Sequence, residues 1–360
     1  MINLFDGIYK NKTVLITGNS GFKGSWLALW LQALGANVVG YSIDEISSPS
    51  HFSLLKLKYK THFKDILDRK SLETVFKKHK PEIVFHLAAQ SLVRDSYKNP
   101  VETYEVNVLG TLNVFEAARR SGSVKAIVNV TTDKVYENIE KDVSYKETDR
   151  LGGFDLYSSS KACSEILSAS YRRAFFSDYK TLITTARAGN VIGGGDWASD
   201  RLIPDLIRSV QAGSPAEIRN SSSIRPWQHV LEPLSGYLLL GQKLLSGEKA
   251  AASSWNFGPQ EENCVQVSDL IGKMRSNWTD LKYRIPHNAT TNMHEAGILK
   301  LDFRHSKKEL GWNPVWGIDK TVEKTSNWYK AYFKNKSICS LKDLEEYIDD
   351  ARKLKLVWCK

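Results

Sequence analysis

Thr17-Gly18-Asn19-Ser20-Gly21-Phe22-Lys23-Gly24 stands between an apolar run at 12–17, rich in Val and Ile, and a stretch at 22–34 with helical periodicity. The periodic stretch stops at Gly35, a residue type suited to the position just past a helix end. Glycines at 18, 21 and 24 permit a tight turn, close approach of the backbone to a pyrophosphate, and close helix–strand contact. The helix start then offers unpaired N–H groups and the positive end of a dipole to phosphate. Three glycines alone carry little weight, but between a strand and a helix they mark a dinucleotide turn. Gly18, Ser20, Gly21, Phe22, Lys23 and Gly24 are therefore expected to bind the cofactor.

Outward from this turn the same alternation repeats. Strands are expected at 37–42, 62–66 with Asp65 near its end, 82–87 and 125–131. Helices are expected from Asp68, as N-cap, through Leu72, Val75 and Phe76; from Asn99-Pro100, as N-cap and first residue, to about Arg120; and over about 156–176. Apolar strands alternating with helices predict an α/β fold, a doubly wound parallel sheet covered on both faces. Beyond 181–188 the pattern loosens, with Gly193-Gly194-Gly195 and a serine run at 221–223 marking loops. The reading is a dinucleotide-binding domain at 1–188, with returns near 225–260, and a smaller substrate lobe mainly at 189–336. The charged stretch 337–360, helical around 341–351, has no readable role.

The composition is that of a globular protein, 42% hydrophobic and 25% charged. No apolar run approaches a membrane span, residues 1–12 carry no secretory pattern, and a cytoplasmic location is expected. Cys163, Cys264, Cys339 and Cys359 are too scattered for a metal site or a disulfide framework, so free thiols and no metal are expected. The net charge of +10 is spread along the chain in solvated faces, without the basic stripe that nucleic acid requires.

Dinucleotide folds place an acid after the second strand to hold the adenosine ribose, and here that register falls near Ser42, with Asp44 two residues on. Asp44 as ribose ligand and Asp44 as ordinary loop acid stand equal. No arginine waits there for a 2′-phosphate, which favours NAD over NADP. Asp65-Ile66 is a candidate for the adenine amino group, against a turn-forming role. Three strand ends are polar: Leu87-Ala88-Ala89-Gln90, Thr131-Thr132-Asp133-Lys134 and Ala188-Gly189-Asn190. The next helix carries Tyr157 and Lys161, four apart and so on one face. A phenol titrates near ~10 and is a poor base at neutrality, so a fixed ammonium and a nicotinamide charge beside it would favour the phenolate.

These segments, with Asn107-Val108-x-Gly110-Thr111, resemble the extended short-chain dehydrogenase/reductase family over roughly 12–330. Within it, Thr132-Asp133-Lys134 resembles the sugar nucleotide 4,6-dehydratases. Residues 189–197, Arg225-Pro226-Trp227-Gln228-His229-Val230 and His294-Glu295 are similar to the branch acting on CDP-glucose. The resemblance implies bound NAD, with Leu87, Ala88, Ala89, Gln90, Asn107, Tyr157 and Lys161 around it. It implies that Tyr157 takes the C4 hydroxyl proton, Thr132 holds the C4 oxygen, and Asp133 protonates the hydroxyl leaving C6. Lys134 stands where many such dehydratases carry Glu, which leaves two roles open: a neutral amine taking the C5 proton, or an ammonium steadying the enolate. For the nucleotide sugar the candidates are Gln90, Thr132, Asn190 and the arginines Arg201, Arg219 and Arg225, whose forks suit a diphosphate. Surface or interface roles weigh equally for Arg201 and Arg219. His229 reads as packing, and His294-Glu295 lacks a zinc partner. The resemblance also implies a homodimer formed through helices near 100–120 and 156–176, and a place in 3,6-dideoxyhexose synthesis for surface polysaccharide (O-antigen). A dTDP- or GDP-sugar dehydratase, a UDP-sugar 4-epimerase, and a protein that keeps NAD only as a sensor are the other readings.

Overall fold

Val14, Leu15 and Ile16 are consecutive and all inaccessible, as in a strand with both faces covered. The computed structural model describes residues 1–45, 47–176, 180–286 and 296–360. In it these residues form β1 (Thr13–Thr17) of a seven-stranded sheet. The other strands are β2 (Asn37–Ser42), β3 (Lys60–Phe63), β4 (Ile83–His86), β5 (Ala126–Val130), β6 (Leu182–Ala188) and β7 (Ser254–Phe257). Their spatial order is β7-β6-β5-β4-β1-β2-β3, every pairing parallel. The order reverses between β1 and β4, and the carboxyl ends there open the crevice in which such sheets hold ligands. This is the doubly wound sheet expected from the alternation.

Six helices matter for the site: α1 (Phe22–Ala33), α2 (Arg69–His79), α3 (Gly110–Ser121), α4 (Leu156–Ala174), α5 (Leu231–Leu245) and α6 (Ser340–Lys353). Val14 and Ile16 point into a core shared with α1 and α5, while Leu15 points into one shared with α2 and α3. Asp68 caps α2 by accepting from Ser71 N at 3.0 Å, as read from the sequence. Beyond β6, paired short strands and the helix Leu202–Ala212 build the wall that faces the strand ends.

Two elements differ from expectation. β3 ends at Phe63 rather than 66, because Asp65 turns the chain by accepting from Leu67 N at 2.9 Å. The single helix expected from 99 to 120 is interrupted by a π-helical turn, Glu105–Leu109, a feature that often marks a site. There Asn107 turns inward, exchanges both amide groups with the Gln90 backbone at 2.9 Å, and donates to Ser160 Oγ at 2.9 Å.

The segment 337–360 acquires a structural role. Trp358 stacks on Phe5 at 5.2 Å and meets Trp30 of α1 edge-on at 5.7 Å. Tyr347 of α6 donates to Glu232 of α5 at 2.9 Å. α1 is thereby covered on the side away from the sheet, which explains why it is apolar nearly all round.

Candidate active site

One cavity of about 740 Å³ runs along the carboxyl ends of β1, β2, β4, β5 and β6 and under the second lobe. That is the size of a ligand cleft rather than of a packing flaw. At its floor, Gly18 has φ +74 and donates to Tyr41 O at 2.8 Å. A Cβ there would meet Ala88 N at 2.7 Å, and one on Gly24 would meet Gly18 O at 2.1 Å. Only bare backbone fits, and the resulting concave turn, with the start of α1 behind it, fits a dinucleotide pyrophosphate. Gly24→Ala is expected to cost about 3 kcal/mol of stability and to abolish the rise in Tm on adding NAD, read by thermal unfolding with and without NAD.

Of the expected cofactor residues, Gly18, Ser20, Gly21, Phe22, Lys23, Gly24, Asp65, Ile66, Leu87, Ala88, Ala89, Gln90, Tyr157 and Lys161 line this cavity. Asp44 does not. Ser42 and Ile43 form the wall, while the Asp44 carboxylate accepts from its neighbour Glu45 N at 2.7 Å and its carbonyl accepts from Ser20 Oγ at 2.6 Å. The chain bends once β2 ends at Ser42, so Ser42 and not Asp44 stands on the cavity wall. Asn107 is also behind the wall, holding Gln90 in place by the bonds given above. Asn19 was not foreseen; its side chain accepts from Ser42 Oγ at 3.0 Å and donates to Thr61 Oγ1 at 3.1 Å, fixing the turn to β2 and β3.

The reactive side chains come from two adjacent elements. Thr132 lies two residues past β5 and starts a short turn, accepting from Lys134 N at 3.3 Å and donating to Asp133 Oδ1 at 3.0 Å. Asp133 is buried, and its Oδ2 makes no hydrogen bond among the described residues. Asp155 caps α4 by accepting from Ser158 N at 2.9 Å, which sets Tyr157 and Lys161 into the cavity one turn apart. Burial pushes the Tyr157 phenol up to about 12, opposed by a hydrogen bond with Thr132 and by Arg201. Burial likewise brings Lys161 down to about 8, with Glu165 opposing, and its Nζ donates to Val130 O at 3.0 Å. Lys23, near Tyr237 Oη at 3.5 Å, is taken to about 8 by burial and by Arg201, with Asp133 opposing.

The substrate candidates Gln90, Thr132, Asn190, Arg201, Arg219 and Arg225 all line the same cavity. Arg201 bonds Asp196 at 3.0 Å and Ser91 Oγ at 3.0 Å, and Arg219 pairs with Asp200 at 3.2 Å. Arg94, unremarked in the sequence, shares that Asp200 oxygen at 3.2 Å. Arg225 is buried, and its guanidinium is bound to the carbonyls of Ile224, Ala296 and Gly297. It therefore braces the wall as well as facing the cavity. His229 packs between Trp26 and Trp316, and burial lowers it to about 3. His294-Glu295 lies outside the described residues. Among the described residues no group of three His, Cys, Asp or Glu could hold a metal, and no helix is long and apolar enough to cross a membrane.

A glycine turn facing a Tyr-x-x-x-Lys helix on a doubly wound sheet defines an extended short-chain dehydrogenase/reductase. The chain belongs to the GDP-mannose 4,6 dehydratase family, whose model matches residues 15–325. It is 43% identical over 349 residues to the CDP-glucose 4,6-dehydratase of Salmonella typhimurium, covering 94% of this chain and 97% of that one. Among solved structures, an epimerase from Methanothermobacter thermautotrophicus superposes with a TM-score of 0.79 at 24% identity, over 91% and 94% of the two chains. A dTDP-glucose 4,6-dehydratase from Streptomyces venezuelae, solved with NAD bound, superposes at 0.74 with 22% identity, over 90% and 97%.

Proposed function

We propose that this protein is a hydro-lyase that uses bound NAD to convert CDP-glucose to CDP-4-keto-6-deoxyglucose and water. The observation that carries the reading is the meeting of Thr132, Asp133, Lys134, Tyr157 and Lys161 on one cavity with the glycine turn. The near full-length similarity to a CDP-glucose 4,6-dehydratase supports the choice of nucleotide.

When bound, oxidised NAD would supply an acceptor and later a donor of hydride, together with a positive charge in the cavity that Tyr157 lines. Tyr157 removes the C4 hydroxyl proton as that carbon is oxidised, and Thr132 holds the C4 oxygen. The ketone so formed makes the C5 proton acidic. Lys134, on the same cavity, is assigned to C5, receiving that proton as an amine or steadying the enolate as an ammonium. Asp133 gives its proton to the C6 hydroxyl, the C6–O bond breaks, and water leaves. C6 is then reduced and C5 regains a proton, so no net oxidant is consumed. Arg201, Arg219 and Asn190 are assigned to the diphosphate and ribose side of the cavity. A 4-epimerase would leave Asp133 without a task.

Exposed Val101, Leu109 and Ile166, on the helices expected to pair, support a homodimer. Work in the cytoplasm on a sugar bound for 3,6-dideoxyhexoses of surface polysaccharide fits this activity. The test is to offer the purified protein CDP-, dTDP-, GDP- and UDP-glucose. The expected result is a 4-keto-6-deoxy product from the CDP sugar, with label carried from C4 to C6 and solvent deuterium at C5. Turnover of another sugar nucleotide but not this one would overturn the nucleotide assignment.

A further inference from the structure

Glu165 lies one turn beyond Lys161 on the same face of α4, buried to 2% exposure. Its Oε2 accepts from Thr185 Oγ1 at 2.7 Å, Arg187 Nη2 at 2.8 Å and Ser254 Oγ at 3.2 Å, while Oε1 accepts from the Thr131 hydroxyl. Arg187 extends the network, donating to Tyr136 Oη at 2.8 Å, and that hydroxyl donates to Asn256 Oδ1 at 2.7 Å. One carboxylate thus joins α4, β6, β7 and the residue directly before Thr132.

Taking the Glu165–Arg187 pair out of water is costly, and apolar side chains of the same volume often match or exceed such a pair in stability. Packing alone therefore does not call for these charges. The reaction scheme does not use them directly either. What they border is Lys161, whose ammonium is disfavoured by burial and favoured by Glu165. The other charged or titratable groups around that end of the cavity are Tyr157 on the same helix, Lys23 from α1, His86 from β4, Asp133 after β5 and Arg187 from β6. Burial takes His86 to about 3, so it carries no charge near neutrality.

We propose that Glu165 is a positioning residue of this active site: it keeps the Lys161 ammonium charged and seated, and it pins the end of β5 so that Thr132 and Asp133 face the substrate. The proposal rests on the dehydratase reading above.

Glu165→Gln keeps the side-chain shape and removes the charge. Lys161 then loses its proton at lower pH, so the high-pH limb of kcat is expected to move down by about one unit. At pH 8 the loss is about fivefold, approaching tenfold at higher pH, with KM for CDP-glucose unchanged. NAD affinity, measured by calorimetry across the same pH range, is expected to show the same displaced limb without any need for turnover. Lys23 titrates in the same range, so it is the shift between wild type and variant that belongs to Glu165. Glu165→Gln/Arg187→Met also removes the guanidinium left unpaired, and is expected to regain Tm while keeping the displaced limb. Limbs that coincide with wild type in both variants, whatever their Tm, would overturn the proposal. A displaced calorimetric limb in a protein that turns over no CDP-glucose would leave the proposal standing and remove the dehydratase assignment.

Discussion

Replacing Tyr157 with Phe is expected to lower kcat by about 10³-fold while leaving NAD affinity within about threefold of wild type. The ring keeps its place on α4 and its packing, so the cavity retains its shape. What disappears is the oxygen proposed to take the C4 hydroxyl proton. In the unliganded protein burial holds that phenol near 12, so it is a poor acceptor until a positive charge arrives beside it. The cost of the substitution therefore falls on the first chemical step and not on binding. Single-turnover measurement of C4 oxidation, followed by absorbance of the reduced cofactor, checks this. Oxidation within tenfold of the wild-type rate would remove Tyr157 as the group that takes the C4 hydroxyl proton.

Asp133→Asn separates the two halves of the reaction. Oxidation at C4 is expected to continue, because Tyr157, Lys161 and Thr132 remain. Loss of water is expected to slow by about 10³-fold, because an amide cannot deliver a proton to a departing hydroxyl. The carboxylate is buried on a residue that lines the cavity, with Oδ1 bound by Thr132 at 3.0 Å and Oδ2 without a hydrogen bond among the described residues. Asn preserves the shape and the bond to Thr132, so a large structural change is not anticipated. Reduced cofactor and a 4-keto sugar that retains its C6 hydroxyl should accumulate after one turnover. Product forming at a near-normal rate would instead assign the acid to another group, Lys134 being adjacent in sequence.

The positions of β1, β2, β4 and β5 were legible because each is apolar on both faces, and a doubly wound sheet requires that. The glycine turn and the Tyr157–Lys161 pair were legible because their spacing is set by local backbone geometry. β3 was misjudged by a few residues because an exposed Asp65 ends it by a side-chain turn, which competes with the ladder. The π-helical turn at Glu105–Leu109 left no mark in the hydrophobic period, since its cause is Asn107 reaching back to Gln90. Asp44 was undecided by spacing alone, and one loop bend placed it off the cavity wall.

Glu165 shows where local reading stops. Its four-residue spacing from Lys161 was visible, yet its partners Thr185 and Arg187 come from β6, Ser254 from β7 and Thr131 from just past β5. Local order along this chain determined the parallel sheet, the phosphate turn and a phenol–amine pair on one helix face, because each depends on neighbours within about a turn or a strand. Tertiary contact alone decided which arginines face the cavity, which acid is buried beside Thr132, and how far the Tyr157 and Lys161 protons are displaced. Those properties follow from desolvation and from charges distant in the chain, and neither exists until the sheet and the second lobe have closed around them.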